Sequence, residues 1–416
     1  MLVLTKCRMP ENKMTKTNHN NNGFEVTIAR TFEQIEEIRP LWQEMSRNES
    51  HSTPNADIDR YLSVLKTSGD NVRPYIILIK QNGHLKTMVV AITETRRIAC
   101  RIGYLTILKP RMRCLSVVYG GILGQPDNEV CSFIVNELLR ILRSREIDMV
   151  FLNHLRTDSQ IFNLSRKMPG FLCRDYIPVV DSHWQTTALD GKEDFYKNLS
   201  RNERRNISRH TKSLEKKASS QVKLRSFRGL PELQEFISTA SEISSVTYQK
   251  ILTGGFTGSD SVRALLTQAA QKDWLRAYIL YAGSEPIAFE SGLIYKSTYF
   301  AEYRGFHPDW SIGSPGSILL LKVLDEFSRD PEVKRYDYGF GDSSYKQRYG
   351  QEYWLEAPVY IFAPRLYPIL VNVIRTLITA FSASLKFILH KFGFIDRVKR
   401  SWRKRLERRA SEKKKQ

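Results

Sequence analysis

Residues 336–350, with the sequence YDYGFGDSSYKQRYG, combine side chains that can donate protons with side chains that bind anions. A predicted strand runs into two glycines and Asp342, and a phenol, an amine and a guanidinium follow at Tyr345, Lys346 and Arg348. Glycine lets a backbone turn sharply, a phenol can serve as a general acid, and paired cations hold anions. The pattern therefore predicts a proton donor beside an anion clamp. A tight turn in which Asp342 caps the next helix, with the two cations in solvent, is the alternative.

A second segment, GSPGSILLL at residues 313–321, follows a predicted strand and opens a predicted helix. Its small residues leave backbone N–H groups exposed at the helix start, where the helix dipole favours an anion. We therefore expect a phosphate of a cofactor to bind there. An ordinary helix start with Pro315 at the first helical position fits the same residues.

Other familiar catalytic and metal-binding patterns are absent from the sequence. It contains no Ser-His-Asp order, no H-E-x-x-H motif and no Walker A motif. The five cysteines are scattered, odd in number and never in a C-x-x-C pair. We therefore expect neither a metal site nor a disulfide framework, and we expect a reducing cytoplasm as the compartment.

Both site-like segments belong to the second of two similar series of predicted elements. Each half of the chain reads strand, helices, antiparallel hairpin strands, long helix and strand, at a spacing of about 190 residues. An antiparallel hairpin followed by a crossover helix implies a mixed sheet with helices packed on it. We therefore predict an α/β (α+β) fold of two tandem domains, each a mixed, mostly antiparallel sheet flanked by helices. The expected boundaries are 1–22 for a disordered leader, 23–190 for the first domain, 191–220 for a basic connecting helix, 221–363 for the second domain, and 364–416 for an amphipathic helix and polybasic tail.

The net charge of +20 comes largely from two short stretches. Residues 197–217 carry eight Lys or Arg and two Glu, and residues 397–416 carry eleven and two, which gives +6 and +9. In the first stretch, Arg205 and Arg209 lie in a helical stripe of cations at i, i+4 spacing, where like charges repel. Phosphate of a lipid-linked substrate, of tRNA or of a nucleotide-sugar would relieve that repulsion. A solvated face between the domains is the alternative.

The order of these segments resembles a known group of transferases. SPGSILLL at 314–321, a helix, and YDYGFGDSSYKQRYG look like the second half of the BioF2-like or CelD/BcsL-type proteins of the GNAT acyltransferase superfamily, whose tandem architecture FemAB-type ligases share. The basic segment 199–217 resembles the helix that this family places between its two halves. The resemblance covers residues 24–362 and implies two GNAT-like domains, a degenerate first one and a second one that carries the cofactor site. The matching positions are Pro315, Gly316, Asp337, Gly341, Asp342, Tyr345, Lys346 and Arg348.

The resemblance also implies acyl transfer with an acyl-CoA, such as acetyl-CoA, as the donor. This reaction needs a base for the acceptor, hydrogen-bond donors for the oxyanion and an acid for the leaving thiolate. Glu302 and Glu290 on neighbouring predicted strands are candidate bases, or else strand carboxylates paired with Arg304 or Lys296. The full set of expected site residues is Glu302, Tyr345, Glu290 and Asp342 for catalysis, Gly313, Ser314, Gly316, Ser317, Lys346 and Arg348 for the cofactor, and Arg205, Arg209, Tyr303 and Asp337 for the acceptor.

Three functions stay open at this point. The resemblance favours transfer from acyl-CoA to an amine or hydroxyl of a cell-surface polysaccharide or lipid precursor. The second function keeps the fold and takes aminoacyl-tRNA as donor, as in FemAB-type ligases. The basic helix favours it, as does the sequence SIGSPG at 311–316, which departs from the pyrophosphate motif R/Q-x-x-G-x-G/A. The third is a non-catalytic membrane- or nucleic-acid-binding protein, because fold alone does not establish activity.

Residues 364–416 combine an amphipathic stretch with a polycationic end. The stretch at 367–389 is largely apolar but contains Arg375, and an Arg at the centre of a spanning helix costs about 2.5–3.5 kcal/mol. Apolar positions at helical intervals beside a basic cluster are typical of a helix that lies on an anionic membrane. We therefore expect a cytoplasmic protein, peripheral on the inner face of the cytoplasmic membrane. Docking of the stretch on the protein's own core and a spanning helix are the alternatives.

Overall fold

The computed structural model describes residues 15–19, 23–47, 49, 52–103, 105–187, 195–247 and 255–391. The chain divides into two compact units, one of Met1–Pro178 with Ala357–Thr379 and one of Val179–Glu356 with Ala380–Gln416. Residues 357–379 thus return to the first unit after most of the second, which the linear order of elements did not predict. The domain boundaries given above stay predictions.

The first unit contains a sheet in which β1, β2, β3, β4, β7 and β8 are neighbours, with residues 357–362 of a later strand beside β8. Strands β7 and β8 run parallel, and the other pairs run antiparallel. The strands are β1 Thr15–His19, β2 Phe24–Ala29, β3 Val72–Gln81, β4 His84–Arg97, β5 Cys100–Ile102, β6 Leu105–Leu108, β7 Arg111–Leu123 and β8 Met149–Arg156. The helices are α1 Phe32–Glu37, α2 Arg39–Arg47, α3 Ile58–Thr67, α4 Asn128–Arg143 and α5 Gln160–Lys167.

Strand β1 lies where the sequence predicts a disordered leader. It pairs antiparallel with β2, from Thr15 opposite Ile28 to His19 opposite Phe24. The prediction of disorder is therefore wrong for these five residues, because backbone groups on an edge strand can pair with a polar segment that shows no apolar pattern. The rest of the leader, 1–14 and 20–22, lies outside the described residues.

The second unit contains a sheet with the order β9, β14, β13, β12, β11 and β10, and residues 352–356 of β15 pair with β9. Strands β13 and β14 run parallel, whereas the other pairs run antiparallel. The strands are β9 Asp181–Thr186, β10 Val222–Phe227, β11 Leu275–Ala282, β12 Glu285–Tyr295, β13 Thr298–Phe306, β14 Arg335–Phe340 and β15 Glu352–Phe362. The helices are α6 Arg201–Ala218, α7 Leu230–Ser245, α8 Asp260–Gln271, α9 Pro315–Ser328, α10 Ser344–Tyr349 and α11 Leu366–Lys391.

Helices cover both faces of the sheet in the second unit. Along β11, Tyr278 and Leu280 belong to a buried cluster with α9, whereas Ala277 and Ile279 belong to a cluster with α7 and α8. Successive side chains of a strand point to opposite faces, so the two clusters lie on opposite sides. Mixed, mostly antiparallel sheets flanked by helices confirm the predicted fold class, and α11 confirms a helix at the start of the tail. The polybasic residues 392–416 lie outside the described residues.

Candidate active site

The candidate site lies where the two parallel strands of the second unit stop pairing. Residues Thr298–Phe300 of β13 pair with Arg335–Asp337 of β14. Beyond that point β13 continues beside β12, and β14 pairs with β9, as at Phe340 opposite His183. A cleft of about 390 Å³ opens there, lined by Gly255, Phe256, Ala301, Glu302, Tyr303, Arg304, Tyr338 and Tyr345.

A β-bulge places Glu302 at this cleft. Between β12 and β13, Ser291 lies opposite Tyr303 and Gly292 lies opposite Ala301, so Glu302 is an extra residue on β13. A bulge changes the direction in which a side chain points and recurs beside active sites. Gly292 is required opposite it, because a Cβ there would lie 2.2 Å from the carbonyl oxygen of Phe300.

Behind the cleft, Glu290, Arg304 and Tyr336 form a buried network. Glu290 is fully buried, and its Oε2 accepts hydrogen bonds from Arg304 at 2.5 and 3.1 Å. The Tyr336 hydroxyl donates to Oε1 of Glu290 and accepts from Arg304 at 2.7 Å. Burial raises the pKa of Tyr336 well above its ordinary value, so the phenol stays neutral. The network fixes Arg304, whose guanidinium lies 4.8 Å from the centroid of the Tyr345 ring.

Lys346 holds the turn that follows β14. Its buried amine donates to the carbonyl oxygens of Gly339 and Phe340 at 2.9 and 2.6 Å. Burial lowers the pKa of this amine to about 8, and the positive charge of Arg304 adds to the effect. The two glycines of the turn, Gly339 and Gly341, have φ of 66° and 88°, as a sharp left-handed turn requires.

A second buried cluster lies under the same turn. His183 on β9 places Nε2 2.8 Å from Oδ1 of Asp337 and Nδ1 3.4 Å from Oε2 of Glu356. Burial alone would lower the pKa of His183, but the hydrogen bonds and negative charges of the two carboxylates outweigh it and raise the pKa to about 9. Asp337 also accepts the backbone N–H of Gly339 at 2.7 Å. Asp337 is thus a buried support of the turn.

The Gly-Ser segment forms the start of α9, as the sequence predicts. Ser314 is the N-cap residue in the left-handed region at φ 48°, with Pro315 as the first helical residue. Gly313 is buried against α6, where a Cβ would lie 2.2 Å from Cδ2 of Leu214. On the same side, Lys217 lies 4.3 Å from the centroid of the Trp310 ring. The basic helix and the start of α9 are therefore direct neighbours.

The structure brings together only part of the set of residues expected from the sequence. Glu302, Tyr303 and Tyr345 line the cleft, while Gly313, Ser314, Gly316 and Ser317 lie at the start of α9. Arg205 and Arg209 are exposed on α6 and do not line the cleft. These roles stay predictions.

Two features of the alternative interpretation of residues 336–350 are wrong. Asp342 does not cap α10: the N-cap residue is Ser343, and the Asp342 carboxylate accepts two hydrogen bonds of 2.8 Å from Gln347. Lys346 does not point to solvent, because its buried amine donates hydrogen bonds to the two carbonyl oxygens of the turn. Arg348 is exposed. The sequence reasoning missed His183, whose partners are far away in the chain. It also missed Arg304 as part of the cleft wall, although its position two residues after Glu302 was a usable signal.

In the described part of the chain, no group of three His, Cys, Asp or Glu side chains is arranged to hold a metal ion. The side chains that line the cleft and could take part in chemistry are a carboxylate, phenols and a guanidinium.

Residues 201–347 match the family model of the acetyltransferase (GNAT) domain. The structure of FemX has a TM-score of 0.51 to this chain at 11% sequence identity, covering 83% of this chain and 100% of FemX. A tandem GNAT protein from the clavulanic acid biosynthesis pathway gives 0.49 at 11% identity, covering 82% and 99%. A conserved protein of unknown function from Bacteroides thetaiotaomicron gives 0.48 at 10%, covering 78% and 97%. No curated protein matches the sequence.

The matched residues 201–347, which lie within the second unit, therefore resemble a GNAT domain, and the chain shares its fold with FemX. The predicted resemblance to the GNAT superfamily is confirmed by the family model over residues 201–347, and the fold agrees with that of FemX.

Proposed function

We propose that this chain is an acyltransferase that moves an acyl group from acyl-CoA to an amine or hydroxyl in the cleft between β13 and β14. The observation that carries the proposal is the end of pairing after Phe300 and Asp337, followed by a cleft lined by Glu302 and Tyr345. Where two strands separate, backbone groups become available to an extended ligand, as in strand addition. The pantetheine arm of coenzyme A is an extended chain with amide groups and fits such a site.

In this proposal Glu302 is the general base. Its half-buried carboxylate lines the cleft and accepts a proton from the acceptor amine or hydroxyl as that group attacks the carbonyl carbon. Glu290 is unsuited to this role, because it is fully buried and both its oxygens are bonded to Arg304 and Tyr336. We assign Glu290 the positioning of Arg304.

Tyr345 is the proposed general acid. When the tetrahedral intermediate collapses, the bond from carbon to sulfur breaks and the phenol donates its proton to the leaving thiolate. Arg304 holds the Tyr345 ring by a cation–π contact, which orients the hydroxyl in the cleft. Asp342 acts indirectly, because its carboxylate binds Gln347 on the helix that carries Tyr345.

The start of α9 is the proposed site for the donor phosphates. Gly313, Ser314, Gly316 and Ser317 surround the helix N-terminus, where the backbone dipole favours negative charge. The adjacent helix α6 adds positive charge near this site through its stripe of cations, which includes Arg205 and Arg209. We expect Arg348, which is exposed, to contribute more to anion binding than Lys346, which the turn carbonyls already bind.

The same neighbourhood supports one alternative donor, aminoacyl-tRNA. Pro315 lacks an N–H group, which removes one phosphate contact, and α6 presents Arg205 and Arg209 to solvent. These features suit a polyanion that extends beyond the cleft. A non-catalytic role predicts instead that Tyr345→Phe and Asp342→Ala leave the phenotype intact.

For the acceptor, we propose an amine- or hydroxyl-bearing precursor of a cell-surface polysaccharide or lipid, handled in the cytoplasm at an anionic membrane surface. An exposed cationic α6 suits a phosphate-bearing precursor. Tyr303, which lines the cleft, is the proposed contact to the acceptor. Asp337 acts indirectly, because its carboxylate holds the backbone N–H of Gly339 in the turn after β14.

The test is a thermal melt with millimolar acetyl-CoA, followed by a thiol-release assay. A ligand at about 100 times its Kd stabilises the folded state by about 2.7 kcal/mol, so the melting temperature should rise by several degrees. No shift with acetyl-CoA would contradict the acyl-CoA donor. Activity that requires charged tRNA and is abolished by RNase would favour the alternative.

A further inference from the structure

Helix α11 presents a largely apolar stripe to solvent. The exposed side chains recur every three or four residues, which places them on one helical face. They are Leu366, Leu370, Val373, Leu377, Phe381, Leu385 and Ile388. The exposed fraction reaches 85% for Leu366 and 64% for Leu377. A helix on a water-facing surface normally shows the opposite pattern, with its polar residues outside.

Two polar residues of α11 lie instead on its buried side. Asn372 donates to the carbonyl oxygens of Leu172 and Arg174 at 3.1 and 2.8 Å. Arg375 binds the buried carboxylate of Asp175 at 2.8 and 3.3 Å. These contacts within the first unit fix the rotation of the helix, so its apolar stripe has to face outward.

The stripe is continued by other exposed apolar residues of the first unit. Phe171 is 71% exposed, and Leu172 beside it is the residue whose carbonyl Asn372 binds. At the start of the helix, the hydroxyl of Tyr367 donates to the carbonyl of Arg111 at 2.8 Å. Three residues before Arg111, the strand β6 ends in exposed Leu108. Exposed apolar residues of the first unit therefore lie on segments that contact α11.

We propose that this surface docks onto an anionic lipid membrane, with α11 lying in the plane of the interface. This inference extends the membrane contact proposed above and does not depend on the transfer reaction. A large contiguous apolar surface on a soluble-type fold marks an interaction site. The charge that follows in the sequence selects the partner, because residues 397–416 carry a net +9 and basic clusters beside an apolar helix bind anionic leaflets.

A spanning orientation fits the contacts less well. Among the described residues, one helical stretch, Leu366–Leu385, is long enough and apolar enough to cross a membrane, judged by length and composition alone. Insertion would separate Arg375 from Asp175 and leave two buried charges without their partners. In-plane docking keeps this ion pair and buries only the apolar stripe.

The test is flotation of the full-length protein with vesicles of phosphatidylcholine alone and with added phosphatidylglycerol. Leu370→Glu combined with Leu377→Glu should lower vesicle partitioning at least about tenfold, because both side chains lie on the docking face. Leu230→Glu, at an exposed apolar position on α7, is the matched control and should bind as the unaltered protein does. Binding should be stronger to the anionic vesicles.

The proposal would be overturned if the unaltered protein did not bind anionic vesicles or if the double variant bound equally well. It would also be overturned if vesicle-bound protein resisted alkaline carbonate extraction, as a spanning helix does. Light scattering tests a second copy as the occupant. A dimer that the double variant converts to a monomer would also overturn the membrane assignment. The double variant should still show a thermal shift with acetyl-CoA. A loss of vesicle binding with this shift retained would concern the membrane surface alone and not the transferase proposal.

Discussion

The guanidinium of Arg304 lies over the ring of Tyr345, 4.8 Å from its centroid, and links the buried carboxylate of Glu290 to the wall of the cleft. Arg304 and Glu290 are direct cross-strand partners in the register of β12 and β13. The position of the proposed acid thus depends on the pairing of two strands to which it does not belong. This arrangement separates residues that perform the chemistry from residues that position them, and mutations should separate them as well.

Tyr345→Phe should keep the cation–π contact with Arg304 and remove only the proton donor. We expect kcat to fall about 10²–10⁴-fold, the range for loss of a general acid, with donor affinity nearly unchanged. Steady-state assays of acyl transfer measure kcat, and calorimetric titration with acetyl-CoA measures the donor affinity. Tyr353→Phe, at an exposed ring stacked on Trp184, is the control. Equal activity of both variants would remove Tyr345 from the mechanism.

Glu302→Gln and Glu290→Gln should have opposite effects on activity and stability. Glu302→Gln should lower kcat about 10²-fold or more, and should change the free energy of unfolding by less than about 1 kcal/mol. Glu290→Gln breaks a buried ion pair and should destabilise the protein by about 3–5 kcal/mol. Urea unfolding and initial rates measure the two quantities. If Glu302→Gln retained full activity, the base would have to be another group.

The elements that carry Glu302 and Tyr345 could be predicted from the sequence: Glu302 lies on a strand, and Tyr345 lies just past the next strand along the chain. A helical crossover from β13 to the next strand makes the two strands parallel neighbours, so their carboxyl ends meet and bring both residues to one edge. The pairing of Glu290 with Arg304 was likewise one of two predicted alternatives, because a short turn between β12 and β13 fixes their register.

The contacts that escaped prediction join distant parts of the chain. His183 is 154 residues from Asp337, and Arg375 is 200 residues from Asp175. Both contacts form because β9 enters the second sheet beside β14 and residues 357–379 return to the first unit. Local periodicity carries no information about such pairings, so the sequence predicted a membrane-facing amphipathic helix but not the buried partners of its polar residues.

Gly313→Ala should weaken donor binding by disturbing the start of α9. The added Cβ would lie 2.2 Å from Cδ2 of the buried Leu214 side chain, so α6 or α9 would have to move. We expect a loss of stability of about 1–3 kcal/mol and a higher Kd for acetyl-CoA. Gly170→Ala is the control, because a Cβ there would meet nothing within 4 Å and the residue lies outside the proposed donor site. A normal Kd in Gly313→Ala would argue against phosphate binding at this helix start.

His183 should make the folded protein less stable as the pH rises above neutrality. Its pKa is about 9 in the folded state against an ordinary 6.5, so between these values the folded state binds more protons than the unfolded state. Stability from this group is therefore complete below pH 6.5 and is lost as the pH rises through 9, up to about 3 kcal/mol in all. The lowered pKa of Lys346, about 8 against 10.5, acts with the opposite sign between those two values. Urea unfolding between pH 6.5 and 8 isolates the histidine contribution. His183→Gln should be less stable throughout and should lose this slope, and a variant that kept the slope would show that another group causes it.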